Sequence, residues 1–304
     1  MTWLAWRTQR SLILCSAAAA TLVGVWLVAG GFAFHHSANA ARWTELDVVV
    51  LFALPCVVGL ALGAPLVAEE LDRGTVRLVW SQETGRGRWF AGKLLVAIAV
   101  IVVAFALLAG LVAWWSQALA VPDQVFTGIG IAPAVFDVTG PAFVSYALFA
   151  FVLGVVLGAL LGRPVWAFLA GVPAYVAVRV VVQELLRKRV LPPLRFADRT
   201  GNVPARLAHA WVLNAAWQAS GPGRRGAAQP VLGGLPESLM RCMTQPGHPP
   251  SVAACAQRLG LHYTGLYQPP GRYWPLQGIE GAVFLALAIA LCALGALVVR
   301  RRSV

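Results

Sequence analysis

Six apolar runs, at residues 11–34, 47–68, 93–116, 142–161, 164–183 and 275–299, dominate this sequence. Each comes near or exceeds the ~20 residues that an α-helix needs to cross the hydrocarbon core of a bilayer. Lipid offers the backbone no hydrogen bonds, so such a run must satisfy its own peptide groups by forming a helix. The sequence therefore predicts an all-α integral membrane protein with six transmembrane helices. Pro55 and Pro173 fall inside runs and predict local kinks.

Composition agrees with burial in lipid. The chain is 59% hydrophobic and 12% charged, where soluble domains carry about 25% charged residues. The net charge of +12 would suggest nucleic acid in a soluble protein. Here the basic residues cluster at the ends of the runs, which assigns them to topology and lipid headgroups and implies no nucleic-acid partner. Lys93 and Lys188 are the only lysines; the preference for arginine points to a GC-rich, actinobacterial genome. The first run follows Arg7 and Arg10 and precedes Ala38-Asn39-Ala40, which imitates a signal peptide. It exceeds the ~7–15 residues of a signal h-region and reads as a retained span.

Arginine and lysine in short loops set the orientation. They precede the first run (Arg7, Arg10), fill the gap between the second and third (Arg73, Arg77, Arg86, Arg88, Lys93), mark the tight turn at Arg163 and end the chain (Arg300, Arg301, Arg302). On the other side, 35–46 holds only Arg42 and 117–141 holds no basic residue. Both termini are expected in the cytoplasm of a bacterial cell, in a multi-pass plasma-membrane protein. The chain divides into a membrane part (1–183), a long extracytoplasmic segment (184–274) and a sixth span with a basic tail (275–304). The long segment is rich in Pro and Gly, with short helices expected over 203–219 and 251–261. Tyr263, Tyr267, Tyr273 and Trp274 are expected to return it to the membrane as an interfacial belt. Cys242 and Cys255 both lie in it, and an extracytoplasmic location predicts a disulfide between them.

Few residues suggest chemistry. Gly87 to Lys93 has P-loop spacing, but Leu94 stands where Ser or Thr would hold magnesium and no strand precedes it, so Lys93 reads as an interfacial anchor. His209, His248 and His262 are scattered, and no catalytic or metal-binding constellation forms; no cofactor is expected on this chain. Gly154, Gly158 and Gly162 form a small-residue ridge suited to close helix packing, within the chain or against a second copy. Gly59 and Gly63 repeat it more weakly. Arg179 and Glu280 are ionisable residues near the outer ends of apolar runs, where they predict an outer-leaflet ion pair, either a structural tie or a gate.

The charged segment 69–93 is long and patterned for a cytoplasmic loop. From Val76 to Gln82 it is amphipathic, suited to lie along the bilayer and face a cytosolic partner. The order Ala64-Pro65-Leu66-Val67-Ala68-Glu69-Glu70-Leu71-Asp72-Arg73-Gly74-Thr75, then Leu78-Val79-Trp80-Ser81-Gln82, then Arg88-Trp89 and Lys93, resembles the type-2 permeases of ABC exporters, most closely their actinobacterial branch. Tyr267-Gln-Pro-Pro-Gly-Arg-Tyr-Trp-Pro-Leu-Gln-Gly-Ile-Glu280 before the last run is similar to the same branch. The resemblance implies a dimer of six-helix subunits, with a second copy or a paralogue as partner. It also implies that each subunit is seated on a separate cytosolic ABC ATPase subunit that binds ATP and Mg. It makes 69–93 the coupling element, with Glu70, Gly74 and Thr75 at the opening of its helix and Arg73, Arg77, Trp80 and Gln82 on it. It also implies that the second and fifth spans line the transport path, with Phe52, Leu60, Tyr175 and Arg179 as candidates; a lining of Phe, Leu, Val and Trp favours a hydrophobic or amphipathic cargo (drug, peptide or lipid). The segment 184–274 is longer than in short-looped relatives.

The competing expectation is a non-transporting sensor or scaffold that anchors an ATPase through 69–93 and binds a ligand with 184–274. An ion-driven secondary transporter is disfavoured, because the runs lack central acidic residues and paired broken-helix repeats.

Overall fold

Five helices long and apolar enough to cross a membrane run through the computed structural model, which describes residues 25, 40–72, 86–118, 136–187, 189–198, 210–219, 229–230, 236–244 and 251–301. They are α1 (Ala40–Asp72), α2 (Arg86–Ala118), α3 (Gly140–Leu161), α4 (Pro164–Val182) and, after the long segment, α7 (Tyr273–Arg301). They match the second to sixth apolar runs. The first run, 11–34, lies outside the described residues apart from Val25, which is helical. Pro55 and Pro65 lie within α1 and Pro173 within α4 without ending either helix.

Helix α3 is the axis of the bundle, with α1, α2, α4 and α7 packed around it. Without water to drive association, membrane helices gain from close van der Waals packing, which favours small residues at their contacts. Gly154 shows the result: a Cβ there would sit 2.9 Å from the Ala64 backbone nitrogen. Gly158 meets Ala64 in the same way, while Gly59 and Gly63 of α1 lie against Ala147, Ala150 and Phe151 of α3. The two glycine pairs thus face each other inside one chain. Gly162 does not belong to this face. It is the C-cap of α3, left-handed at φ 67°, with nothing near its Cβ position, and its N–H donates to the Gly158 carbonyl at 2.9 Å. Only glycine adopts that conformation without strain, so its role is to end the helix.

Both ends of the bundle are defined by this packing. At one end lie the end of α1, the start of α2 and the α3–α4 turn at Gly162–Arg163. At the other, α3 begins at Gly140 beside the start of α7. The segment between α4 and α7 is built on this second end. A five-residue π-helical turn, Gln183–Arg187, continues α4. Strands β1 (Leu194–Asp198), β2 (Trp211–Ala219), β3 (Gln229–Pro230) and β4 (Leu261–Gln268) then form an antiparallel sheet of order β1-β4-β2-β3, with short helices α5 (Glu237–Thr244) and α6 (Val252–Arg258) before β4.

The sheet corrects the all-α expectation for 184–274 and the helix expected over 203–219. β2 lies in that span and pairs along its length with β4, Trp211 opposite Gln268 and Ala219 opposite Leu261. Local propensity favoured a helix in this Ala-containing stretch, but cross-strand pairing about fifty residues away decided its conformation. Helix α6 falls within the expected 251–261. A disulfide joins Cys242 of α5 to Cys255 of α6, and both cysteines are buried with Trp217 and Leu239 in a small separate core.

The aromatic belt is likewise reduced. Tyr263 and Tyr267 pack on Phe196 within the sheet, and Tyr273 is buried against Phe136. Of the four, Trp274 alone stays largely exposed, at 67%. Entry to and exit from the domain are tied together. Gln268 donates to the Leu191 carbonyl, and Arg272 donates to the Pro192 carbonyl and to Gln268, each at 2.7 Å.

Candidate functional site

The buried polar and charged residues among those described are Asp137, Thr139, Arg179, Gln268, Gln277 and Glu280, and all six lie at the sheet end of the bundle. Polar groups are expensive at membrane depth and are retained where they serve function or specific structure. Three helix termini and the loop before α3 bring them together.

Arg179, on the last turn of α4, is the centre. Its side chain is 3% exposed and its guanidinium lies between two rings, 4.2 Å from the centroid of Phe52 on α1 and 3.9 Å from that of Tyr146 on α3. Such stacking is worth ~2 kcal/mol where the cation is desolvated. Nη1 donates to the Tyr175 hydroxyl one turn earlier at 2.9 Å. Nη2 faces Asp137 Oδ2 at 3.5 Å, an ion-pair distance. The same Oδ2 accepts from Gln183 Nε2 at 2.9 Å. Glu280, on the second turn of α7, accepts the Tyr146 hydroxyl at 2.7 Å. This corrects the expected Arg179–Glu280 ion pair: Arg179 faces Asp137 instead, and Tyr146 stands between the cation and Glu280, its ring against the guanidinium and its hydroxyl on the carboxylate, because the packing of α3 between α4 and α7 puts that ring in the way. Asp137 supplies an ion partner that sequence reading missed.

A second network holds the start of α3. Gln277 accepts the Ala142 N–H at 2.9 Å and donates to the carbonyls of Phe136 (2.7 Å) and Thr139 (3.0 Å). Thr139 Oγ1 and the Tyr273 hydroxyl are 2.8 Å apart. Tyr273, Gln277 and Glu280 recur every three to four residues, so one face of α7 grips α3 by polar contacts over its first two turns. Below Glu280 the same face turns aromatic, with Phe284 against Tyr146 and Phe149.

Of the residues expected to line a path, the four are not on one open surface. Phe52 is 39% exposed, over Arg179. Leu60 is fully enclosed, because Gly171 of α4 lets that helix close on it: a Cβ on Gly171 would sit 2.5 Å from Leu60 Cδ2. Tyr175 is buried and stacked on Phe149, with ring centroids 6.1 Å apart. Helical position turns Leu60 towards α4 and Tyr175 towards α3 rather than outward. Of the residues expected on a coupling element, Glu70 lies in the last turn of α1, at the end of the bundle opposite the sheet. Arg73, Gly74, Thr75, Arg77, Trp80 and Gln82 lie outside the described residues.

Sequence signals for the missed residues exist but are weak. Asp137 is an acid just before a span, in a loop otherwise free of basic residues. Gln277 is one of several polar residues at the start of the last run. Nothing in their spacing shows that they meet.

No curated protein matches the chain. The family described as ABC-2 membrane transporter related matches residues 30–187, which covers more than half of the 304 residues and four of the five membrane-capable helices.

Proposed function

Because this chain belongs to the ABC-2 membrane transporter related family, a family of multi-pass membrane permeases, we propose that it is the transmembrane subunit of an ATP-driven ABC exporter. The observation that carries the reading is the family match across 30–187. That region contains the polar segment 73–85, which follows α1 and precedes α2 in the chain. In this reading the segment 69–93 is the coupling element. It rests on a cytosolic ABC ATPase subunit that binds ATP and Mg, and a second permease copy or a paralogue completes the assembly. The chain itself catalyses nothing.

The arginine-rich end of the bundle faces the cytoplasm of a bacterium, with both termini inside and six spans. The sheet domain then faces the oxidising side, which is where a Cys242–Cys255 disulfide persists. ATP binding in the partner moves 69–93. Helices α1 and α2, continuous with it, carry the motion through the bilayer. Such a cycle requires nucleotide to bind the two states unequally. The motion reaches the other end at Phe52 on α1, which covers the buried charge of Arg179. That cluster is the outer gate. In this reading the cargo is a hydrophobic or amphipathic molecule such as a drug, peptide or lipid.

Charge reversal at the coupling element tests the reading. Glu70→Arg is expected to abolish cargo export from vesicles containing the permease and its ATPase, with normal membrane insertion. Normal export by that variant would sink the coupling role. The folded sheet domain favours one alternative, a sensor or scaffold that anchors the ATPase without transporting. Wild-type vesicles that bind the ATPase but move no cargo would establish that alternative.

A further inference from the structure

The guanidinium of Arg179 is buried, and its Nε–Nη2 edge makes no hydrogen bond among the described residues. Nη1 is occupied by Tyr175. A buried N–H left unsatisfied is costly, and a native structure that tolerates two on one cation invites an explanation. The two idle donors are adjacent, and together they form an edge of the fork that takes a carboxylate through two parallel hydrogen bonds.

A carboxylate is already beside that edge. Asp137 Oδ2 lies 3.5 Å from Nη2, close enough for charge attraction and too far for a good hydrogen bond. What it bonds instead is Gln183, at 2.9 Å. Gln183 is the first residue of the π-helical turn that ends α4. π-helical turns are rare and recur at functional positions. Two donors on the same helix, one turn apart, therefore compete for one carboxylate that precedes α3, and the structure has the neutral donor at the shorter distance.

We infer that Arg179, Asp137 and Gln183 form a latch with two settings. In the setting seen here Asp137 is held by Gln183, and among the described residues the Nε–Nη2 edge of Arg179 makes no hydrogen bond. In the other, Gln183 withdraws as the π turn rearranges, and Arg179 takes the carboxylate side-on with both donors. The exchange fixes the sheet end of α4 against the start of α3 in two discrete ways, which is the bistable element that a gate needs. This rests on the exporter reading for its purpose but not for its existence. Asp137 and Gln183 are positioning residues here; neither is assigned contact with cargo.

The test uses the full chain, in detergent for stability and in vesicles with its ATPase for export. Gln183→Leu removes the competing donor and frees Asp137 for Arg179. The melting temperature is expected to rise. The rise should disappear in an Arg179→Lys background, because a single ammonium cannot take a carboxylate side-on. Export by Gln183→Leu is expected to fall about tenfold, the scale of biasing a two-state equilibrium by one charge-assisted hydrogen bond. A melting temperature that stays level or drops overturns the latch, as it would if water already satisfies the edge. So does a rise that persists undiminished in the Arg179→Lys background, which would report only a better-buried leucine. A rise that depends on Arg179, with export unchanged in a chain that does export, overturns the role in the cycle. Should the wild-type vesicles not export at all, the exporter reading fails and the melting comparison still decides the latch.

Discussion

Gln277 caps a helix that is not its own. Its side-chain carbonyl accepts the Ala142 N–H at 2.9 Å, and its amide donates to the carbonyls of Phe136 and Thr139 in the turn that leads into the helix. The first N–H groups of any helix lack intrahelical partners, and the N-cap residue of α3, Thr139, makes no side-chain cap bond. The distant glutamine supplies what the local sequence does not. It also locks α7 to α3, and through β4 it joins the sheet domain to the centre of the bundle.

Gln277→Leu keeps the volume and removes all three bonds. Each buried group left unpaired costs about 1–3 kcal/mol, so the combined loss is expected to reach several kcal/mol. Denaturant or thermal unfolding in detergent checks it. A change within error would mean that water reaches this turn.

Gly140 stands against the same side chains. Its φ of 73° is in the left-handed region, and a Cβ would fall 2.9 Å from both Gln277 Oε1 and the Tyr273 hydroxyl. Gly140→Ala therefore incurs about 1–2 kcal/mol of backbone strain and displaces the glutamine as well. Combined with Gln277→Leu its effect should be less than the sum, because the two act on one contact. Simple additivity would count against that coupling.

The two glycine roles on α3 separate by substitution. Gly158→Ala places a methyl group into the α1 backbone at Ala64 and must push the helices apart, whereas Gly162→Ala meets open space and strains only its own φ. The first is expected to lower the melting temperature markedly more than the second, whose cost is about 1 kcal/mol. The reverse order would refute the packing face described above.

Removing the disulfide should unsettle the sheet domain and leave the bundle intact. Closing a loop of 13 residues is worth about 3 kcal/mol in the chain-entropy account. Cys242→Ser with Cys255→Ser is expected to abolish a mobility difference between reduced and non-reduced gels. It should also speed proteolysis within 189–268 while 140–182 stays protected. Equal sensitivity in both regions would show that the two parts unfold as one.

The legibility of the chain differs sharply between its parts. The membrane helices could be read because lipid imposes a local condition: each run must be long and apolar enough, and nothing distant alters that. The ridge at Gly154 and Gly158 was visible for a similar reason, since a fixed spacing of small residues is a property of one helix. Its partner was not. That Gly59 and Gly63 meet it, and that Gly162 belongs instead to the cap, depends on where α1 lies. The sheet was misread for the opposite reason. β2 has no strong pattern of its own, and it becomes a strand by pairing with residues near 265.

What the amino-acid sequence alone determined is the placing of the five described apolar helices, the small-residue ridge at Gly154 and Gly158, and the segment 69–93 that carries the family resemblance. These follow from composition and periodicity, which act over a few turns of chain. The tertiary structure alone decided which polar groups share the buried cluster. Asp137, Tyr146, Arg179, Gln183 and Glu280 are separated by up to 143 positions, and a hydrogen bond carries no mark in either residue of which partner it will find. Only the packing of α1, α3, α4 and α7 brings them within reach, and burial then makes each of those contacts count.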